Sequence, residues 1–404
     1  MAEPGEVTLR SVAVVAFLPA GLQATGVGAL AAALALSARS LGASVSQAGL
    51  VVALLGLGQV LADVPAGAIA ERLGERRAMV ISLLASAVGS ALCLGAGWWW
   101  HNLAVLVVGV VVIGATNAVF GLARQSFLTD VVPHHLRARA LSTLGGMFRV
   151  GMVLGPFIAA PAIALGGPTA AFGVHLMACL VTIVVLLRVP DPRGVEPVAV
   201  PVPGGLRTVV RDNARALRTL GLTGVLIGAV RASRQVVIPL WADHLGLDAA
   251  TVSLVFGLSG LVDALVFYPS GKVMDTRGRA TVAVPSMAVL GVAHLLLPLT
   301  HSTAALVGVA LMMGLGNGMG SGVVMTLAAD VAPRQGRAQF LGVWRIFHDA
   351  GSMSGPLLLA GVVTVVPLPA AIAVMGGCAI GTAGLLRRWI PAGPSTAADV
   401  DRDR

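Results

Sequence analysis

Long apolar runs separated by short polar connections set the rhythm of this chain. A bilayer core about 30 Å thick takes about 20 apolar residues in a helix. Runs of that order recur twelve times, at roughly 11–37, 46–70, 78–98, 103–130, 138–165, 168–189, 218–241, 250–273, 280–300, 303–331, 338–366 and 369–386. A β-barrel would instead alternate polar and apolar residues over short segments. The pattern predicts an all-α membrane protein with twelve transmembrane helices.

The connections orient it. Counted from a cytoplasmic N-terminus, the inner side receives 21 basic residues and the outer loops receive Arg39 alone. The positive-inside rule then places both termini in the cytoplasm. The longest inner connection is rich in Pro, Gly and Val and then basic, and it divides the chain. The reading is a six-helix bundle over 1–190, a cytoplasmic linker over 191–216, a second six-helix bundle over 217–390 and a polar, disordered cytoplasmic tail over 391–404. The basic part of the linker either lies on the anionic inner leaflet as an amphipathic helix or serves as a charged tether. No cleavable signal peptide is evident, and the first span serves as its own insertion signal.

The two bundles are one unit written twice. Gly67, Glu71 and Gly74 fall on Gly271, Asp275 and Gly278 at an offset of 204 residues. Asn117, Asp130, Gly151, Gly155 and Pro156 fall on Asn317, Asp330, Gly351, Gly355 and Pro356 at an offset of 200. A four-residue insertion or deletion therefore lies between the two registers.

Composition agrees. The 404 residues are 56% hydrophobic and 11% charged, against roughly 45–50% and about 25% in soluble domains. Fifty-one glycines suit helices packed through small residues. The net charge of +9 is a topology signal and not a nucleic-acid footprint. Cys93, Cys179 and Cys378 sit in apolar runs with no disulfide or metal spacing, and read as small buried hydrophobes. Lys272 is the only lysine, a usage that points to a high-GC bacterial source.

The connection Gly67-Ala-Ile-Ala-Glu-Arg-Leu-Gly-Glu-Arg-Arg77 resembles the G-x-L-A-D-R-x-G-R-K signature of the major facilitator superfamily, through Gly67, Glu71, Gly74 and Arg76. Glu71 replaces the aspartate, and Glu75 moves the basic pair one residue on. The second copy, with Gly271, Asp275, Gly278 and Arg279, lies nearer the pattern. Gly151-x-x-x-Gly155-Pro156 resembles the family's antiporter signature, with Ala159-Ala160 in place of its last two glycines. It reads equally as a packing motif, since small residues let helices cross closely. Val110 stands where the family often carries an arginine before the fourth-span glycine. The resemblance implies a monomeric transporter in the inner membrane of a bacterium, with the two bundles rocking about a central site and the basic connections acting as gates. Glu71 and Arg76 are expected to engage Asp130, and Asp275 and Arg279 to engage Asp330.

Charges inside spans are costly, about 2.5–3.5 kcal/mol each on insertion scales. They are Asp63, Arg124, Arg149, Arg231, Arg234, Asp263, Arg345, His348 and Asp349. In the family, spans 1, 4, 7 and 10 line the central cavity. This makes Arg124, Arg231, Arg234, Gln235, Asn117 and Asn317 substrate-cavity candidates. Arg231, Arg234 and Gln235 share one helical face by their spacing. Arg345 and Asp349 stand at i, i+4 with His348 beside them. As proton carriers Asp349 with His348 rank first, then Asp263, then Asp63. Five arginines against three aspartates permit an anionic or neutral cargo and argue against a specialist for lipophilic cations.

The sequence carries no nucleotide loop, metal spacing or Ser/His/Asp set, so it reads as no enzyme, with no cofactor beyond a proton gradient as energy source. Its expected partners are the lipid bilayer, protons and a small-molecule substrate. The leading reading is a proton-coupled exporter of drug-like or metabolite molecules. The alternative is uptake or exchange of an organic anion held by the cavity arginines. A membrane sensor that binds without transporting is the third.

Overall fold

A computed structural model describes residues 17–132, 137–188, 211–333 and 337–390. Among them all long regular elements are helices. The first six are α1 (Leu18–Ser40), α2 (Val45–Leu73), α3 (Glu75–Gly95), α4 (Leu103–Val131), α5 (Arg137–Gly166) and α6 (Ala170–Arg188). After the linker come α7 (Leu222–His244), α8 (Ala249–Arg277), α9 (Ala280–Leu296), α10 (Thr303–Met319), α11 (Val323–Val331), α12 (Arg337–Val362) and α13 (Leu368–Trp389). The tail and most of the linker lie outside the described residues.

Local chemistry places the ends. Ser44 and Gln47 form a reciprocal capping box at the start of α2, with Gln47 N–H to Ser44 Oγ at 3.2 Å and Ser44 N–H to Gln47 Oε1 at 2.8 Å. Asn102 and Ser302 cap α4 and α10. The sharp turns from α2 to α3 and from α8 to α9 are made by Gly74 (φ 76°) and Gly278 (φ 90°), a conformation that side-chain-bearing residues rarely adopt.

Eleven helical stretches among the described residues are long and apolar enough to cross a membrane. Among the described residues each predicted run is occupied by helix, but one expectation changes. The run at 303–331 is not one helix. It breaks at Gly320-Ser321-Gly322 into α10 and α11, because glycines on both sides of a serine weaken the helix there. The run at 338–366 forms α12, which carries Arg345, His348 and Asp349. One cysteine also departs from expectation. Cys93 and Cys179 are buried, but Cys378 is exposed on α13, since an apolar residue in a span is as stable facing lipid as facing protein.

The chain folds as two compact units. Unit 1 holds the described residues before 189 together with Asp248–Gly257, and unit 2 holds the rest. In unit 1, α1 packs on α5 and α6, α2 on α4, and α3 on α4 and α6. In unit 2, α7 packs on α12 and α13, and α9 on α10 and α13, repeating the same scheme.

The repeat is visible atom by atom. A β-carbon added to Gly151 or Gly155 of α5 would run into the carbonyl oxygens of Gly21 and Thr25 on α1. Gly351 and Gly355 of α12 stand in the same way over Val225 and Ala229 of α7. Gly114 of α4 faces the Leu55 carbonyl, and Gly314 of α10 faces that of Ser259. Thus α1 and α2 map onto α7 and α8 at an offset of 204, while α4 and α5 map onto α10 and α12 at 200. The four-residue difference falls between Gly74 and Leu103, a stretch four residues longer than that from Gly278 to Thr303. Unit 1 uses the excess to make a π turn, Ala96–Trp100, before α4.

Candidate functional site

The densest polar cluster within the spans of unit 2 is built from α7, α8, α10 and the break after it. Arg231 and Arg234 project from one side of α7, as their spacing predicts. Arg231 donates from Nε to Asn317 Oδ1 at 2.9 Å, from Nη1 to the Gly320 carbonyl at 3.1 Å and from Nη2 to Ser321 Oγ at 3.0 Å. The Gly320 carbonyl lies at the break after α10 and also accepts from Val323 N–H at 3.2 Å, so Arg231 takes its second lone pair. Arg234, 8% exposed, donates to Ser259 Oγ at 3.1 Å and lies 3.7 Å from Asp263 Oδ2. The Ser259 hydroxyl hydrogen goes to the Ala310 carbonyl at 2.6 Å, so its oxygen is the acceptor for Arg234.

Asp263 is the convergence point. Asn317 Nδ2 donates to its Oδ2 at 2.5 Å, and Ser321 Oγ lies 3.4 Å from its Oδ1. Asn317 thereby bridges Arg231 on one side of its amide to Asp263 on the other. Arg234 and Asn317 thus bring donors to this carboxylate from α7 and α10. The structure brings together Arg231, Arg234, Asp263 and Asn317, which the sequence offered under separate roles. Gln235 is half-buried on the same helix.

The second cluster lies on α12. Arg345 Nε stands 3.5 Å from Asp349 Oδ2, one helical turn away. His348 has a buried Nδ1 that meets no hydrogen-bond partner among the described residues, and its charged neighbours are Arg231 and Arg345.

The corresponding positions of unit 1 carry other residues. At an offset of 204, the positions of Arg231, Arg234 and Asp263 are taken by Val27, Leu30 and Gln59. The amide Gln23 donates to Asn117 Oδ1 at 2.8 Å, and Arg124 lies 5.4 Å from the Phe120 ring centroid. Asp63 is half-buried on α2.

The two basic turns differ. In unit 2, Arg279 grips Asp330 with two nitrogens, at 3.0 and 3.2 Å, and Asp275 faces Arg279 at 3.9 Å rather than Asp330. In unit 1, Arg76 donates to the Leu186 and Leu187 carbonyls at the end of α6. Glu71 is exposed, and the buried acid is its neighbour Glu75, 3.5 Å from Ser126 of α4. The side chain of Asp130 lies outside the described residues. By register, Glu75 occupies the position of Arg279, so the sign at that point is reversed between the units.

Sequence reasoning did not find Ser259, Ser321, the Gly320 carbonyl or Glu75. The Gly320-Ser321-Gly322 triplet was the available signal for the break. It also missed two buried imidazoles, His175 against Ser90 at 2.7 Å and His294 against Ser233 at 3.0 Å. Nothing in an apolar run marks which helix a lone histidine faces. Among the described residues no three His, Cys, Asp or Glu side chains gather as a metal site.

Comparison with known proteins bears on this geometry. A family model described as Major Facilitator Superfamily matches residues 16–230 and 220–402. The chain is 25% identical over 367 residues to the tetracycline resistance protein, class G, of Vibrio anguillarum, covering 86% of this chain and 89% of that one. It is 26% identical over 326 residues to multidrug resistance protein MdtL of Klebsiella pneumoniae, covering 79% and 80%. A crystal structure of a POT family transporter in complex with 5-aminolevulinic acid superposes with a TM-score of 0.77 at 13% identity, over 94% of this chain and 96% of that one. That last likeness concerns the fold alone.

Proposed function

Because the chain belongs to the major facilitator superfamily, we propose that this multi-pass membrane transporter is a proton-coupled exporter of small drug-like or metabolite molecules. We read it as twelve spans in two six-helix bundles, both termini cytoplasmic, acting as a monomer in the inner membrane of a bacterium. The export direction is supported by the similarity to relatives named for tetracycline and multidrug resistance.

The observation that carries the coupling is the position of Asp263 between Arg234 and Asn317. A carboxylate inside a span is stable as an anion only while a cation and donors face it. When the helices that supply Arg234 and Asn317 shift, the proton affinity of Asp263 shifts with them. Proton uptake in turn removes the charge that holds Arg234. A conformational equilibrium and a protonation equilibrium linked in this way drive each other reciprocally. Asp349, paired to Arg345 beside His348, is the second proton carrier in this reading.

One observation favours the organic-anion alternative. Arg231 joins Arg234 in one polar cluster, donating to Asn317, Gly320 and Ser321, so α7 brings two guanidiniums to the same place. The two readings separate in proteoliposomes loaded with a pH dye, to which neutral drugs, cationic drugs and organic anions are added in turn. The exporter reading predicts proton movement on adding neutral drugs, lost in Asp263→Asn. Movement on adding anions alone, lost in Arg231→Ala, would replace it with the anion reading. Silence across the whole panel would contradict proton coupling.

A further inference from the structure

The four residues that unit 1 has in excess build a wall. They lie in the connection around the π turn Ala96–Trp100, which presents Trp98, Trp99 and Trp100 at 46, 70 and 56% exposure. Three adjacent exposed indoles between two spans form an aromatic belt at the membrane–water boundary. Trp98 is pinned there. Its Nε1–H donates to the Gly166 carbonyl at 2.9 Å, and a β-carbon on Gly166 would stand 2.9 Å from its ring.

Beneath that indole lies a cavity of about 900 Å³, bounded by Leu22 and Thr25 of α1, Ile158 and Ala162 of α5, and Gly173 and Met177 of α6. The lining is apolar apart from Thr25, whose hydroxyl is spent on the Gly21 carbonyl at 2.8 Å. The cavity opens sideways. Ile158 and Met177, in candidate spans, are 49 and 58% exposed, so its mouth is continuous with the surface that bilayer hydrocarbon covers.

We propose that this groove is a binding site for one acyl chain of a bilayer phospholipid, held below Trp98. The volume falls within the roughly 300–1,000 Å³ of ligand pockets. A drug-like cargo would leave polar atoms without partners in such a lining, whereas an acyl chain has none to leave. The headgroup remains at the level of the tryptophans, outside the groove. Where unit 1 has Trp98, Trp99 and Trp100, the shorter connection of unit 2 has the 3-10 turn Leu297–Leu299, without tryptophan. The proposal does not depend on which cargo is carried or in which direction.

The test uses the full chain in vesicles of phosphatidylethanolamine and phosphatidylglycerol, a fraction of which carries a photoreactive diazirine on the acyl chain. Crosslinked residues are mapped by mass spectrometry. Leu265 and Leu299, 67 and 68% exposed on candidate spans of unit 2, report ordinary lipid contact. The expected result is several-fold heavier labelling at Gly173 and Met177 than at those leucines. A β-carbon at Gly173 meets no atom within 4 Å, so Gly173→Phe fills the groove without striking the fold and should abolish that excess. Equal labelling at the four positions overturns the proposal, as does an excess that survives Gly173→Phe. Displacement of the label by a transported drug but not by unlabelled phospholipid also overturns it. If Gly173→Phe does not fold, the wild-type comparison alone decides.

Discussion

Asp263 and Arg234 are 14 and 9% exposed at the side chain, and in so dry a place each has use for the other. Removing one partner of a buried pair costs about 3–5 kcal/mol, because the other charge is left uncompensated. Arg234→Ala should therefore lower the thermal transition in detergent sharply, and adding Asp263→Asn should recover much of the loss. If the double variant is no better than the single one, Arg234 acts through packing and the charge argument fails. A milder residue effect is expected at Asp248, which caps α8 by accepting from Thr251 N–H at 2.9 Å and from its hydroxyl at 2.6 Å. Those bonds hold its carboxyl below the ordinary carboxylate range. A depressed pKa stabilises the folded state above the unfolded value, and the contribution is lost as pH falls through the folded one. Asp248→Ala should cost about 1 kcal/mol, the usual worth of a helix cap, at neutral pH and less in acid. Melting curves at the two pH values check the sign. Much of this scale could be read from the sequence as a list of charges in spans. Their partners could not, because Arg234 and Asp263 are brought together by two helices whose relative rotation no apolar run encodes.

At the scale of the helix, close crossing decides. Gly355 lets α12 lie against the Ala229 carbonyl, and Gly155 does the same for α5 over Thr25. Gly145 of α5, by contrast, has open space around it. Alanine favours a helix over glycine by about 0.8–1.0 kcal/mol, whereas overpacking a tight contact costs about 1–3 kcal/mol. Gly145→Ala should hold or raise stability, and Gly355→Ala should lower it. Equal responses would mean that α7 and α12 are not packed through these glycines. The basic turn of unit 2 gives a second test. Arg279→Asp and Asp330→Arg should each impair transport, and the charge-swapped double variant should restore part of it, as a double-mutant cycle on transport rate would show. Helices could be read well at this scale, from run length and from Gly74 and Gly278. The break at Gly320–Gly322 was hidden inside an otherwise apolar run. The turn Ala96–Trp100 straddles the end of the predicted run at 78–98, because tryptophans count as apolar whether they cross the membrane or lie at its edge.

For the whole molecule the sequence repeat was legible in unusual detail. Two registers differing by four residues reappear as carbonyl-to-glycine contacts at the same two offsets. What the repeat did not convey is the asymmetry laid over it. Unit 2 holds the arginines and Asp263, where unit 1 has Val27, Leu30 and Gln59, and Glu75 reverses the sign of Arg279. A repeat is detected through what the copies share, so departures from it become meaningful only when the register is known residue by residue.

The central claim is that proton and cargo movement are linked through Asp263. It is tested most directly by comparing two assays on one protein, once the drug panel has supplied a cargo. The first is accumulation of that cargo in inverted vesicles under an imposed pH gradient. The second is its exchange across the membrane with no gradient. The account predicts that wild-type protein performs both, and that Asp263→Asn keeps exchange but loses accumulation. A variant that still accumulates cargo against its gradient would contradict the account.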